Sequence, residues 1–164
     1  MAVKQEELER LAGELGAALH ARGWLLASAE SCTGGWAAQA MTAIAGSSSW
    51  FERGFVTYSN AAKRELLDVP ADVLARFGAV SEETARDMAL GALTRSHAHI
   101  AFAITGIAGP DGGTPDKPVG TVCFAWALED GRVQSGRCLF GGDRAAVRAQ
   151  AVGHALRETL ALVR

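Results

Sequence analysis

Stretches with a helical apolar period alternate along this chain with short apolar runs, and the alternation ends in two runs joined by Asp130-Gly131. Leu8, Leu11, Leu15, Ala18 and Leu19 recur at helical spacing, and Gly23 stands as a stop, so residues 2–22 are expected to form a helix. Residues 24–29 read as a short buried strand. A helix from Gly35 to about Ile44 follows, with Thr33 as its cap. The aromatic and β-branched run 50–58 predicts a strand ending at Tyr58. Ser59 or Asn60 caps a helix to about Leu67, Pro70 opens one through Phe77, and Ser81 opens a longer one to about Arg95. His99 to Thr105 is a strand. Val119 to Leu128 and Val133 to Phe140 are two more, with Asp130-Gly131 as their hairpin turn. Asp143 caps a last helix to about Val163. Strand–helix alternation demands a parallel sheet covered on both faces, and a closing hairpin adds antiparallel strands. The expected class is α/β: a three-layer α/β/α sandwich on a mixed sheet, one domain over residues 1–164.

Charge and cysteine content narrow the function. The net charge is −2 and the basic residues are dispersed, which leaves no electrostatic footprint for nucleic acid. No apolar run approaches the ~18 residues of a membrane span, and the start of the chain lacks a secretory apolar region. Neither nucleic acid nor membrane is an expected partner. Cys32, Cys123 and Cys138 are odd in number and lack metal-site spacing, so a reducing cytoplasm is the expected setting and no metal site is expected.

Four stretches carry chemistry. "AESCTGG" at 29–35 puts Ser31, Cys32 and Thr33 where a strand gives way to a helix, with Gly34 and Gly35 behind them. Such a junction exposes side chains at the sheet's edge and aims helix-end amides at them. It is either a capped turn or the mouth of an active site, with amides able to hold an oxyanion and glycines admitting a substrate close to the backbone. A nucleophilic serine needs a base. His20, His97, His99 and His154 lie on helices or beside a helix-to-strand turn, so Lys63, one turn into the helix after Tyr58-Ser59-Asn60, is the better candidate. A lysine serves as base only when desolvated or crowded by cations; otherwise Lys63 is an ordinary solvated side chain. Tyr58 relays a proton, stacks on a ring or simply packs. "TGIAGPDGGT" at 105–114, with Thr105, Gly106, Gly109, Gly112 and Gly113, follows a strand and offers many free amides, which suits an anion. Its Asp111 faces a cation or bonds its own turn. In "GGDRAAVR", Arg144 and Arg148 are four apart on one helix face, either a phosphate clamp or a solvated pair.

Taken together and in this order, "AESCTGG", "GFVTYSNAAK", "GAVSEETA", "TGIAGPDGGT" with "KPVGTV", and "FGGDRAAVR" resemble the CinA C-terminal family over about residues 5–160. The resemblance implies an α/β/α domain and hydrolysis of nicotinamide mononucleotide to nicotinic acid mononucleotide and ammonia. It also implies a role in recycling pyridine nucleotides, a small-molecule nucleotide as partner, no cofactor or required metal, and a homo-oligomer. The family's proposed catalytic serine and lysine match Ser31 and Lys63. On that reading amides near Thr33 and Gly34 receive the oxyanion, and the 5′-phosphate lies against the glycine loop or the arginines. Rival readings remain at this level. One is a catalytically silent nucleotide-binding or regulatory module linked to competence or recombination, and another is hydrolysis of a different amide or a phosphoester. Within the deamidase reading, direct water attack with Ser31 only positioning the amide is one alternative, and Cys32 as nucleophile is another, although no histidine is visibly placed to activate it.

Overall fold

The computed structural model describes residues 2–164. Its elements run α1 (Gln5–Arg22), β1 (Leu26–Glu30), α2 (Trp36–Thr42), β2 (Phe51–Val56), α3 (Asn60–Leu67), α4 (Ala71–Phe77), α5 (Glu82–Thr94), β3 (Ile100–Gly106), β4 (Thr121–Leu128), β5 (Val133–Leu139) and α6 (Arg144–Val163), with a 3-10 turn at Ser47–Ser49. The sheet order is β2-β1-β3-β4-β5. β1 is parallel to both β2 and β3, and β4 and β5 are antiparallel additions. The expected three-layer mixed-sheet sandwich is the fold observed.

Strand alternation decides which helices cover which face. In β3 and β4, Ile100, Phe102, Ile104, Val122, Phe124, Trp126 and Leu128 point into one core with residues of α1, α2 and α6. Ala101, Ala103, Cys123, Ala125 and Ala127 point the other way, against Ala85, Met88, Ala89 and Ala92 of α5. Because side chains change face at every strand residue, a single strand builds a bulky layer on one side and a thin one on the other. The thin layer lets α5 lie close to the sheet.

β1 and β4 each begin two residues later than their apolar runs. β1 begins at Leu26 because Trp24 stacks on His99, with ring centroids 6.1 Å apart, and the Leu25 amide donates to His99 Nδ1 at 2.9 Å. β4 begins only after Gly120, whose φ of 96° is a turn conformation. A Cβ there would sit 2.0 Å from the Phe140 carbonyl oxygen.

Gly91 shows how tightly α5 is seated. Glycine inside a helix costs about 1 kcal/mol relative to alanine, yet a Cβ at this position would lie 2.1 Å from the Leu67 carbonyl oxygen at the end of α3. Backbone cannot swing aside as a flexible side chain can. Gly91→Ala is therefore expected to lose about 1–3 kcal/mol by overpacking despite its better propensity. Urea denaturation measures it; a stabilised variant would contradict the packing.

Candidate active site

The two parallel strands β1 and β2 release the chain to opposite faces of the sheet. α2 leaves β1 toward the bulky core, whereas α3, α4 and α5 leave β2 toward the alanine-lined one. A crevice opens between carboxyl ends that diverge in this way, and open α/β sheets bind ligands there. Ser31 follows β1 directly and Lys63 sits on α3, directly after β2. The Thr57 amide bonds the Glu30 carbonyl at 2.8 Å, which carries the pairing of the two strands to the crevice floor. Ser59 caps α3 by accepting from the Ala62 amide at 3.0 Å and so sets the direction in which Lys63 points.

Lys63 Nζ lies 3.0 Å from Ser31 Oγ, 3.0 Å from the Thr57 carbonyl oxygen and 3.2 Å from that of Tyr58. The side chain is 1% exposed. Burial pushes its pKa below the ordinary lysine range, opposed in smaller part by the neighbouring Cys32. The three partners fix what each protonation state does. A charged ammonium donates to all three oxygens. A neutral amine has two N–H bonds, which the two carbonyls take, and its lone pair is left facing the serine hydroxyl, which then donates to it. That second arrangement is a serine held by its base. It also explains why β2 stops before Tyr58: the carbonyls of Thr57 and Tyr58 serve Lys63 instead of a ladder.

Of the residues expected at the site, Ser31, Lys63, Tyr58, Thr105, Gly106 and Arg144 line one cleft of about 210 Å³, joined by Cys32, Asn60 and Val80. Tyr58 is 62% exposed at its mouth. Arg144 bridges that mouth, donating to the Gly109 carbonyl at 2.8 Å and to the Tyr58 hydroxyl at 3.1 Å. Thr105 donates its hydroxyl to the Ala79 carbonyl at 2.8 Å and thereby fixes the segment after α4 as a cleft wall.

The other expected residues stand differently. Thr33 does not cap α2: its hydroxyl is buried and donates to Glu30 at 2.7 Å. The N-cap is Gly35, with φ of 100° and no side-chain bond, and Glu30 caps the helix in its place, accepting from the Ala37 and Ala38 amides at 2.9 and 3.1 Å. Gly34 and Gly35 have positive φ, so the turn needs them as backbone. Arg148 is not free to clamp a phosphate alongside Arg144. Its guanidinium donates to the Cys32 and Thr33 carbonyls at 3.0 and 3.1 Å, and it lies over the Trp36 ring. Gly109 reaches the cleft through the carbonyl that Arg144 holds. Gly112 and Gly113 shape the loop: a Cβ on Gly113 would lie 2.8 Å from the Val119 amide nitrogen. Asp111 is exposed on that loop. None of the four histidines is among the cleft-lining residues.

Cys32 is an unsuitable nucleophile where it stands. Burial pushes its thiol up to about 12, with Arg148 only partly offsetting it, so the thiolate is scarce at neutral pH. Glu30 is the residue that motif reading passed over. A carboxylate directly after the short apolar run 24–29 was its one visible signal.

The chain is similar to known proteins over nearly its whole length. The CinA C-terminal domain model matches residues 8–163. A nicotinamide-nucleotide amidohydrolase PncC from Enterobacter agglomerans is 54% identical over 158 residues, 96% of either chain. The protein of that name from Escherichia coli K12 is 55% identical over 151 residues, 92% of either chain. The crystal structure of competence/damage inducible protein CihA from Agrobacterium tumefaciens superposes with a TM-score of 0.94 at 46% identity, covering 96% of each chain.

Proposed function

Since the chain belongs to the CinA C-terminal domain family, we propose that it deamidates nicotinamide mononucleotide, with Ser31 as nucleophile and Lys63 as its base, and so recycles pyridine nucleotides. The observation that carries the chemistry is the 3.0 Å contact between Ser31 Oγ and a buried amine. The relatives named amidohydrolases supply the substrate.

The pyridinium ring withdraws electrons from its carboxamide, so the carbonyl carbon is already electrophilic. Ser31 Oγ attacks it while the hydroxyl proton passes to the Lys63 lone pair. The resulting oxyanion takes hydrogen bonds from turn amides after Ser31. As the tetrahedral adduct collapses, the carbon–nitrogen bond breaks and Lys63 returns its proton to the departing ammonia. Water, deprotonated in turn by Lys63, then releases the acid from Ser31. Tyr58 closes the mouth, where its ring can lie against the cationic pyridinium. Arg144 is the guanidinium at the mouth suited to the substrate phosphate. The working setting is the cytoplasm, with the enzyme as a homo-oligomer. Among the described residues no helix is long and apolar enough to cross a membrane.

Purified protein given nicotinamide mononucleotide should release ammonia and nicotinic acid mononucleotide in equal amounts, with or without chelator. Tight nucleotide binding without ammonia would instead indicate a silent binding module. Cys32→Ala is expected to keep kcat within about 3-fold of the parent, because a thiol this poorly ionised contributes no nucleophile. Loss of activity there, with Ser31→Ala active, would reverse the assignment.

A further inference from the structure

Glu30 is a buried carboxylate that the proposed reaction does not use. It is 1% exposed and accepts three hydrogen bonds, from the Thr33 hydroxyl and the Ala37 amide on Oε1 and from the Ala38 amide on Oε2. Gly35 holds the N-cap position at a φ of 100°, where a side-chain cap would be strained, so Glu30 caps α2 from the end of β1 instead. The Thr33 bond goes beyond capping: through it the side chain ties the middle of the Ser31–Gly35 turn to the helix after it.

Arg148 holds the same turn from the other side, through the Cys32 and Thr33 carbonyls. The Ser31 amide bonds the Ile104 carbonyl at 2.9 Å and the Gly34 amide bonds the Ser31 carbonyl at 3.0 Å. Among the described residues, the Cys32 and Thr33 amides donate to no backbone acceptor. The turn is thus pinned at its carbonyls, its ends and the Thr33 hydroxyl, and two consecutive amides next to the nucleophile are left without a backbone acceptor. Immobile donors not already spent on backbone are what an oxyanion requires, because their orientation is settled before charge develops.

We propose that Glu30 is a positioning residue for the deamidation, holding the turn so that the Ser31 hydroxyl and the Cys32 and Thr33 amides keep their reactive geometry. The inference rests on the function proposed above. It treats Glu30 as acting through the turn rather than on the substrate or on Lys63.

Glu30→Gln is the informative variant. It keeps the shape but sets an NH₂ against one of the amides the carboxylate accepted. A misplaced turn should lower kcat roughly 10- to 100-fold, with KM changed less than about 3-fold, since ground-state binding is not what the turn supplies. The acid limb of the kcat/KM profile should stay where it is. Hydrogen exchange at the amides of Cys32, Thr33, Ala37 and Ala38 should quicken at least about 10-fold while that of β3 is unchanged, marking local release rather than global opening. An unchanged kcat, a rise in KM alone, a displaced acid limb, or unchanged exchange in the turn would each overturn the proposal. If Glu30→Gln does not fold, Thr33→Val decides: it removes one of the three bonds, and a kcat loss of about 3- to 10-fold with flat KM is expected, an intact kcat being the contrary result. Wild-type ammonia release in the same assay reports on the function itself, and the exchange measurement needs no turnover, so failure of one reading is separable from failure of the other.

Discussion

Ser31→Ala is expected to abolish nearly all ammonia release, lowering kcat by at least about 10³-fold while leaving KM close to its parent value. The size follows from the role. A nucleophile that forms the acyl intermediate cannot be replaced by a methyl group, and what survives is only the rate that amide donors and bound geometry give to a water. The hydroxyl is small and buried, and its partner in the free enzyme is Lys63. Its removal costs about 0.5–1.5 kcal/mol of stability, too little to unfold the chain. A melting curve and steady-state ammonia release on one preparation separate the two effects. Had Ser31 only oriented the carboxamide for direct attack by water, the loss would be nearer 10- to 100-fold, the range of a positioning contact. The magnitude, rather than the bare fact of a loss, therefore distinguishes covalent from direct hydrolysis.

The pairing of Ser31 with Lys63 came from the family resemblance, and order along the chain allowed it without requiring it. A serine just past one parallel strand and a lysine one turn past its neighbour have the crevice between the strand ends within reach, but a capped turn and a solvated lysine fit the same local sequence. The layer structure was available directly: Ile100-Ala101-Phe102-Ala103-Ile104 alternates bulk with alanine at a strand's period, so it lies between two helical layers of unequal thickness. What local reading missed depends on distance in sequence. Thr33 has the right chemistry and nearly the right place for a cap, but Glu30, seven and eight residues before the amides it accepts from, outcompetes it. Arg144 and Arg148 share a helix face and look equivalent. One turn of α6 nevertheless places Arg144 at the mouth of the cleft and Arg148 against carbonyls 115 and 116 residues away. Helical spacing predicts a shared face; it does not tell which partner each side chain on that face will meet. Glycines were similarly ambiguous. Gly34 and Gly35 carry positive φ in the catalytic turn, whereas Gly113 is small because Val119 folds back onto it.

Replacing Lys63 should be as damaging as replacing Ser31, and its pH behaviour identifies why. Lys63→Met nearly conserves volume and removes the base, so kcat is expected to fall by about 10²- to 10⁴-fold. Lys63→Arg keeps a cation and three or more donors but cannot deprotonate near neutrality; if the amine serves as base, arginine is as inactive as methionine, and if it serves only as a cation, arginine restores much of the rate. In the parent enzyme activity needs the neutral amine, so kcat/KM should rise with pH through an acid limb set by the lowered lysine pKa. Stability follows the same titration. Between that lowered value and the ordinary lysine value near ~10.4, the unfolded chain holds a proton that the folded chain has released. Unfolding then takes up protons, and wild-type stability increases with pH across the window. Below it, both states are protonated and the folded state bears the full desolvation cost of the buried ammonium. Lys63→Met has no group to titrate there, so its stability curve should be flatter by one proton over the same interval. Denaturant titrations of the two proteins at a series of alkaline pH values test this: wild type should gain on Lys63→Met as pH rises, and parallel curves would mean that the amine is not desolvated and cannot be the base.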